Sequence, residues 1–255
     1  MSDRLDRALL GIDEPSPVRI VNPNGRSPFL LIGDHAGNLV PRALEPFGVT
    51  SPDLDRHIGW DIGIATLGET LATMLDATFI AQRYSRLVVD CNRAPDAEDA
   101  MPAVSDGTPI PANASLDAEG RAARLAAIHT PYQAAIAAEL ARRDAAREDA
   151  VLVALHSFTP VMRGFARPWQ IGVLHGGGDE AYARRVLLAL EARGDLVVGD
   201  NQPYAMDTVD FTIPHHAFAA GRRYVETEIR QDLLKTEAQI HEWADLLVTV
   251  LTAAL

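Results

Sequence analysis

The sequence of 255 residues contains a single cysteine, so it cannot form an internal disulfide framework. This scarcity fits a reducing compartment, and we expect a cytoplasmic protein. No uninterrupted apolar run is long enough to cross a bilayer. The first residues, MSDRLDRALLGIDEPSP, carry acids and lack the apolar core of a secretory signal. Positive charge is also in short supply: the formal net charge is −12, so binding to nucleic acid or to an anionic membrane is not expected.

Several motifs that identify a catalytic class are missing as well. The sequence has no HExxH helix and no CxxC pair, so zinc ligands, if present, must come from separate elements. No GxSxG elbow surrounds Ser157, and no GK[ST] follows the glycines after His175, which argues against a hydrolase serine and a P-loop. We expect Cys91 to point into the core, which argues against a cysteine nucleophile.

Apolar residues make up 47% of the sequence, which is ordinary for a globular protein. Short apolar runs alternate with segments of helical periodicity. Strands are predicted at PFLLIGDH, TFIAQRY, RLVVDCN, AVLVALHSF, PWQIGVLHG, DLVVGDN and RRYVETEI. Helices are predicted from Asp61 to Asp76, from Arg121 to about Arg147, after GGGDE up to Gly194, and from Thr236 to the end. This alternation predicts a layered α/β fold with a largely parallel sheet.

The composition shifts nowhere sharply and no repeat period is evident, so we expect one domain over residues 18–255. Residues 1–17 are predicted to form a tail or short helix that Pro15 and Pro17 close. Residues 94–115 are rich in Pro, Asp and Ala, and we expect them to form a functional loop or lid beside the pocket.

Polar residues follow several predicted strands at the edge where ligands of α/β sheets gather. His35 and His156 each end an apolar run, and Glu226 and Glu228 share one face of a later strand. Two histidines with a carboxylate or amide would make a zinc site with an open position, which lowers the pKa of bound water to roughly 7. Each residue also has a structural explanation, either a hydrogen-bonded histidine at a strand end or a glutamate paired with Arg230.

Five blocks of sequence occur in one order and carry a family resemblance. They are DHAGNLVP (34–41), YSRLVVDCNR (84–93), ALHSF (154–158), GDNQPY (199–204) and ETEIRQDLL (226–234). From about residue 18 to its end, the chain resembles the N-formylglutamate amidohydrolases, which are similar to zinc carboxypeptidases and aspartoacylases. The resemblance implies a three-layer α/β/α sandwich of the phosphorylase/hydrolase-like type around a mixed, largely parallel sheet. It also implies hydrolysis of the amide bond of an N-formyl or N-acyl amino acid that bears a carboxylate.

The same resemblance implies that His35 and His156 bind Zn²⁺. The wider group has a glutamate three residues after its first histidine, where this chain has Asn38, and an amide oxygen is a weaker zinc ligand. Either Asn38 is the third ligand or a carboxylate from elsewhere replaces it. Asp61 in GWDIG is the alternative, although it could equally cap a helix. The departure at Asn38 leaves a second hypothesis open, a metal-free protein that binds or senses small molecules with the same fold.

The remaining roles follow from the same blocks. Glu228 resembles the glutamate that activates water, and Arg86 would stabilise the oxyanion. The DCNR run is interpreted as a carboxylate receptor, in which the planar fork of Arg93 binds the substrate, Asn92 donates beside it and Asp90 holds an arginine in place. Such a run would give the acidic protein a locally basic pocket.

Four further residues are weaker candidates. Tyr204 is expected to shape the pocket, and His216 could donate to the acyl oxygen of the substrate. His129 and Tyr132 either face the site or serve packing. A third hypothesis, a serine or cysteine hydrolase without a metal, also remains open at this point.

Overall fold

The computed structural model describes residues 8–255, and a central seven-stranded sheet organises it. In chain order the strands are β1 (Val18–Val21), β2 (Phe29–Gly33), β3 (Thr78–Gln82), β4 (Val104–Ser105), β5 (Thr108–Pro109), β6 (Val151–Phe158), β7 (Val161–Met162), β8 (Phe165–Ala166), β9 (Ile171–Leu174), β10 (Val198–Asp200) and β11 (Tyr224–Arg230). The sheet order is β1-β3-β2-β6-β11-β9-β10, and β4–β5 and β7–β8 form two separate hairpins.

Most neighbours in the sheet run parallel. β2 pairs in parallel with β3 and β6, β6 with β11, and β9 with β10, whereas β1 is antiparallel to β3 and β9 to β11. The sheet is therefore mixed and largely parallel, which confirms the predicted fold class.

Helices cover both faces of this sheet. They are α1 (Ser51–Leu54), α2 (Ile64–Met74), α3 (Pro111–Ala114), α4 (Ala118–Arg124), α5 (Thr130–Ala146), α6 (Ala181–Glu191) and α7 (Glu237–Ala253). The π-helical turn Leu125–His129 joins α4 to α5, and a second one spans Pro214–Phe218. Helices α2, α6 and α7 pack on one face, and α5 packs on the other, which gives the three layers. No helix within residues 8–255 is long and apolar enough to cross a membrane.

The alternation of side chains along β6 supplies both core clusters. Val153 and Leu155 pack with α2, α6 and α7, whereas Leu152 and Ala154 pack on the α5 side. All eight residues of β6 are buried. A strand that is covered on both faces has to be apolar throughout, which explains the run AVLVAL.

The prediction of a strand at RLVVDCN is wrong. Residues 85–93 form successive turns, in which Val88 N donates to Ser85 O at 2.9 Å and Asp90 N donates to Ala100 O at 2.8 Å. Val88, Val89 and Cys91 are fully buried on the α5 side of the sheet. A short apolar run predicts burial, but it does not distinguish a strand from a buried turn.

The N-terminal prediction is tested only in part, because residues 1–7 lie outside the described residues. Residues 8–17 form turns instead of a helix, and β1 follows them at the edge of the sheet, where no strand was predicted. The long helix begins three residues earlier than predicted, at Ala118, because the Asp117 side chain accepts from Gly120 N at 2.8 Å.

Candidate active site

A cavity of about 520 Å³ lies at the carboxyl ends of the parallel strands β2, β6 and β11. The register of these strands explains which residues meet there. Glu228 pairs with His156 across β11 and β6, and Ile32 pairs with Ala154 across β2 and β6, so that the Asp34–His35 segment leaves β2 beside His156. This is the edge at which ligands of α/β sheets gather, as predicted for the polar strand ends.

Two histidines and an aspartate line this cavity together. The ring centroids of His35 and His156 are 5.1 Å apart, and Asp61 Oδ2 lies 2.9 Å from His156 Nδ1 and 3.4 Å from His35 Nδ1. All three residues are buried, and His35 Nδ1 has no hydrogen-bond partner within residues 8–255. One ligand atom from each residue lies within 4.8 Å of the others, an arrangement that suits a three-ligand metal site.

The second ring nitrogen of each histidine faces a carboxylate. His35 Nε2 lies 2.7 Å from Asp90 Oδ1, and His156 Nε2 lies 3.2 Å from Asp34 Oδ2. For His35 this contact is a hydrogen bond, which favours the proton on Nε2, so that Nδ1 keeps its lone pair for a metal ion. For His156 the contact with Asp34 is electrostatic and lacks hydrogen-bond geometry. Both histidines have Nδ1 towards Asp61.

Asp34 is a site residue that the predictions above did not include. It is fully buried, and its Oδ1 accepts from Thr212 Oγ1 at 2.6 Å. Ile32, two positions earlier, packs on the α5 side of the sheet. Because side chains alternate along a strand, extending the pattern of β2 by one step indicates that Asp34 faces the same side.

Asp61 places a carboxylate beside both histidines. It lies in the turn before α2, and the alternative role as a helix cap is wrong, because the capping residue is Gly63 and no side chain caps the helix. Burial acts to raise the pKa of Asp61, but the neighbouring His35 and His156 outweigh burial and hold the pKa below its ordinary value. Ser157 N donates to the same oxygen at 3.3 Å and helps to fix the carboxylate.

Arg86 lies beside this group and is held by two aspartates. Its Nη2 and Nε donate to Asp90 Oδ2 at 2.7 and 3.2 Å, and its Nη1 donates to Asp61 Oδ1 at 3.3 Å. Burial acts to lower the pKa of Arg86, but both carboxylates outweigh it, and the pKa stays above its ordinary value. Asp90 makes the expected arginine contact and, in addition, the contact with His35.

Glu226 and Glu228 project from one face of β11 and line the cavity. They are 2% and 6% exposed, and Oε2 of each has no hydrogen-bond partner within the described residues. Burial raises the pKa of Glu228 to about 7 and raises the pKa of Glu226 well above its ordinary value. A carboxyl group with a pKa near neutrality can both accept and return a proton.

Asn92 and Arg93 also line the cavity, and parts of their side chains are already engaged. Asn92 Oδ1 accepts from two backbone N–H groups of the loop before the second π-helical turn, at 3.0 and 2.9 Å, and its Nδ2 donates to Asp210 Oδ1 at 3.2 Å. Arg93 Nε donates to Asp99 Oδ2 at 2.9 Å. The Asp99 side chain is 56% exposed, so solvent weakens this ion pair and a competing carboxylate can displace it.

Tyr204 borders the cavity, and a buried arginine fixes its position. The Tyr204 hydroxyl accepts from Arg167 Nη1 at 3.0 Å, and the guanidinium lies 4.9 Å from the centre of the Tyr204 ring. The side chain is 40% exposed, so the ring forms part of the cavity rim, as expected of a residue that shapes the pocket.

Two predicted site residues do not reach the cavity. The Asn38 amide donates to Leu54 O at 3.3 Å and to Asp55 Oδ1 at 3.0 Å, which ties it to α1 and away from the histidines. His216 Nε2 lies 2.7 Å from Gln133 Oε1 in the α5 layer, and burial lowers the pKa of His216 to about 4. Neither residue lines the cavity, so the expected contact of His216 with the acyl oxygen does not fit this structure.

Four other candidates, His129, Tyr132, Ser157 and Cys91, are not placed for catalysis. His129 and Tyr132 are buried in the α5 layer and do not line the cavity. Ser157 lines the cavity, but its Oγ donates to Ile62 O at 2.9 Å, so its proton is not directed to a histidine. Cys91 is fully buried, and burial raises the pKa of its thiol well above the ordinary value. These positions argue against a serine or cysteine nucleophile.

The expectation of a locally basic pocket is wrong. Eight carboxylates and three arginines line the cavity, and two of these arginines, Arg86 and Arg93, are paired with aspartates. The third, Arg163, is exposed at the turn between β7 and β8. The DCNR run contributes one carboxylate for its one arginine, and the surrounding loops contribute mostly acids, which one segment of sequence could not reveal.

The group of His35, His156 and Asp61 fits a divalent metal ion. Imidazole nitrogen and carboxylate oxygen are donors that Zn²⁺ accepts, and His35 Nδ1 is a buried atom without a hydrogen-bond partner among residues 8–255. Burial acts to lower the pKa of both histidines, but the surrounding carboxylates outweigh it and raise the pKa above the ordinary value. The electrostatic environment therefore favours positive charge at this point.

Comparison with known proteins agrees with the sequence blocks. A family model described as N-formylglutamate amidohydrolase matches residues 27–235. No curated protein sequence matches the chain at a significant level. The solved structure of the gene product Atu2144 from Agrobacterium tumefaciens is 34% identical, with a TM-score of 0.93 over 96% of this chain and 97% of that chain. N-formylglutamate amidohydrolase from Ralstonia eutropha JMP134 shares the fold at 21% identity, with a TM-score of 0.68 over 94% of this chain and 97% of that one. The chain belongs to the N-formylglutamate amidohydrolase family.

Proposed function

We propose that this chain hydrolyses the amide bond of an N-formyl or N-acyl amino acid that bears a carboxylate, with Zn²⁺ as its cofactor. The observation that carries this proposal is the convergence of His35 Nδ1, His156 Nδ1 and Asp61 Oδ2 beside the unpartnered Oε2 of Glu228. Membership of the amidohydrolase family supplies the reaction class.

His35, His156 and Asp61 would hold the metal ion, and Asp90 and Asp34 orient the two histidines from behind. When bound, such an ion supplies Lewis-acid chemistry, which polarises the amide carbonyl and lowers the pKa of water. Asp61 takes the ligand position for which Asn38 was the other candidate.

Glu228 moves the proton. Its carboxylate takes a proton from the attacking water as the water oxygen forms a bond to the acyl carbon. The same carboxyl group then gives the proton to the leaving nitrogen as the carbon–nitrogen bond breaks, so that formate or another carboxylate and a free amine result. Burial acts to raise the pKa of Glu228, which favours the return of the proton to the leaving nitrogen.

Arg86 provides positive charge for the oxyanion that develops on the acyl oxygen. Its two aspartate contacts fix the guanidinium, and its side chain remains 26% exposed towards the cavity. Arg93 binds the carboxylate of the substrate by exchanging its exposed partner Asp99 for it, and the Asn92 amide and the Tyr204 ring border that position.

The hypothesis of a metal-free binding protein depended on the weak ligand Asn38. The hypothesis loses this support, because the Asp61 carboxylate lies beside both histidines. The partner we propose is a small N-acyl amino acid in the cytoplasm, and the net charge of −12 continues to argue against nucleic acid.

The test combines elemental analysis with an assay of amine release from N-formyl and N-acetyl amino acids, with and without added zinc. We expect about one bound metal ion per chain and activity that a chelator abolishes and zinc restores. His156→Ala should lose both metal and activity, whereas His241→Ala, at an exposed histidine of α7, should keep both. Hydrolysis that persists in the metal-free protein would contradict the proposal.

A further inference from the structure

The acids that line the cavity differ in whether a positive charge accompanies them. Asp61 and Asp90 hold Arg86, Asp99 holds Arg93, and Asp106 is paired with two basic side chains, Arg56 and His57. Within residues 8–255, Asp207, Asp210 and Glu228 have no ion pair, and Glu226 has only a distant one, 3.9 Å from its Oε1 to His156 Nε2. The proposed function already gives Glu228 a role, which leaves Asp207, Asp210 and Glu226 as acids without close positive partners.

Glu226 provides a second and independent observation. It is 2% exposed, it lines the cavity, and its Oε2 has no hydrogen-bond partner within the described residues. Burying a carboxyl oxygen without a partner is unfavourable, and a donor supplied by a ligand would remove that penalty. The buried atom thus points to a group that arrives with the substrate.

The three acids are near one another and near the proposed carboxylate receptor. Asp207 N donates to Asp210 Oδ2 at 3.3 Å, and Asn92 Nδ2 donates to Asp210 Oδ1 at 3.2 Å. The Asp210 carboxylate also lies close enough to Glu226 to act on it electrostatically. We call Asp207, Asp210 and Glu226 the acidic subsite.

We propose that the acidic subsite binds a cationic group of the substrate, a primary amine or a guanidinium. This inference rests on the proposed function, and it narrows the substrate to an N-acyl amino acid with a basic side chain. Arg93 binds the carboxylate of such a substrate, and the acidic subsite binds the far end of its side chain.

The same charges disfavour a second carboxylate, such as the side chain of N-formylglutamate. A carboxylate at the acidic subsite would meet three acidic side chains, and the fixed Arg86 is already paired with two aspartates. Adding a negative charge beside acids in a partly buried site opposes binding, because charges are poorly screened there.

A panel of four substrates tests the proposal with the full chain as purified and with added zinc: Nα-formyl-L-lysine, Nα-formyl-L-arginine, N-formyl-L-norleucine and N-formyl-L-glutamate. Norleucine matches the length of lysine without its amine. We expect kcat/KM for the two basic substrates to exceed that for the norleucine compound about tenfold or more, with the glutamate compound lowest. Equal or better hydrolysis of the norleucine or glutamate compound would overturn the proposal.

Substitutions locate the effect. Asp207→Asn and Asp210→Asn should each reduce the preference for lysine over norleucine about tenfold, chiefly through KM. Asp207 is exposed, so its variant should fold even if the loss of Asp210 disturbs the loop. Asp96→Asn removes the same charge at an exposed position that does not line the cavity, and it should leave the preference unchanged. An unchanged preference in both Asp207→Asn and Asp210→Asn would overturn the assignment.

Calorimetric binding of free L-lysine, L-norleucine and L-glutamate separates this inference from the proposed function, because binding needs no turnover. If no N-acyl compound is hydrolysed but lysine binds more tightly than the other two, the proposed function fails and the acidic subsite stands. If glutamate or norleucine binds as tightly as lysine, the acidic subsite is wrong whatever the assays of hydrolysis give.

Discussion

The two faces of the central sheet carry different chemistry on the same strands. On the face covered by α2, α6 and α7, β6 presents the apolar Val151, Val153 and Leu155 before Ser157 reaches the edge of the cavity. On the other face β6 begins with Leu152 and Ala154 but then presents His156 to the cavity. β11 follows the same pattern, with Val225 and Ile229 on the apolar face and the glutamates on the other.

This contrast assigns the two tasks of the protein to different sides. Burying ionisable groups opposes folding unless partners satisfy them, and several atoms of the site have none. Apolar burial on the other face has to offset this loss of folding free energy. A substitution on one face should therefore change chemistry with little effect on stability, and a substitution on the other should do the reverse.

Glu228→Gln should produce the largest effect, because an amide cannot accept the proton from water. We expect kcat to fall by roughly 10²- to 10⁴-fold. The thermal midpoint should not decrease, since the variant keeps the shape of the side chain and removes a charge that is unfavourable when buried. Steady-state kinetics together with a thermal melt checks both parts, and full activity would remove Glu228 from the mechanism.

Leu247→Ala on the apolar face should have the opposite profile. Leu247 is fully buried in the cluster that α7 makes with the sheet, so the substitution should lower the free energy of unfolding by about 2–5 kcal/mol. Chemical denaturation measures the loss. Activity per folded molecule should be unchanged at low temperature, and a parallel fall in kcat would show that the two faces are not independent.

Asp34→Asn should lower the affinity for the metal ion although Asp34 does not line the cavity. The negative charge behind His156 Nε2 is lost, and zinc affinity should fall about 10- to 100-fold in competition with a chelator of known affinity. Asp200→Asn is a matched control, because Asp200 contacts His175 Nε2 at 2.7 Å and neither residue lines the cavity. If both variants lowered zinc affinity equally, the loss would not depend on the contact between Asp34 and His156.

Asn38→Ala should have the smallest effect. Among residues 8–255 the Asn38 amide donates only to Leu54 at the end of α1 and to the adjacent Asp55, so zinc affinity and kcat/KM should each change by less than about threefold. A loss as large as that of His156→Ala would restore Asn38 as a ligand and would count against Asp61.

The pattern of apolar and polar residues in the sequence predicted which strand ends form the site. The apolar runs before His35 and His156 located two strand ends that meet in space, and alternation predicted that Glu226 and Glu228 share a face. The prediction of a strand at residues 85–93 failed, because apolar side chains can be buried in turns as well as in a strand. The sequence pattern also failed for Asn38, whose spacing from His35 suggested a ligand although its side chain turns to α1.

By itself the sequence determined the layered architecture, the family and the two histidines, because these depend on periodicity and on short ordered motifs that each lie within one segment. Only the tertiary structure decided that Asp61 joins the histidines, that Asp34 and Asp90 orient them, and that acids dominate the cavity. Those features combine residues from segments far apart in the chain. Their charges interact through space, and no local pattern records which distant side chains will be neighbours.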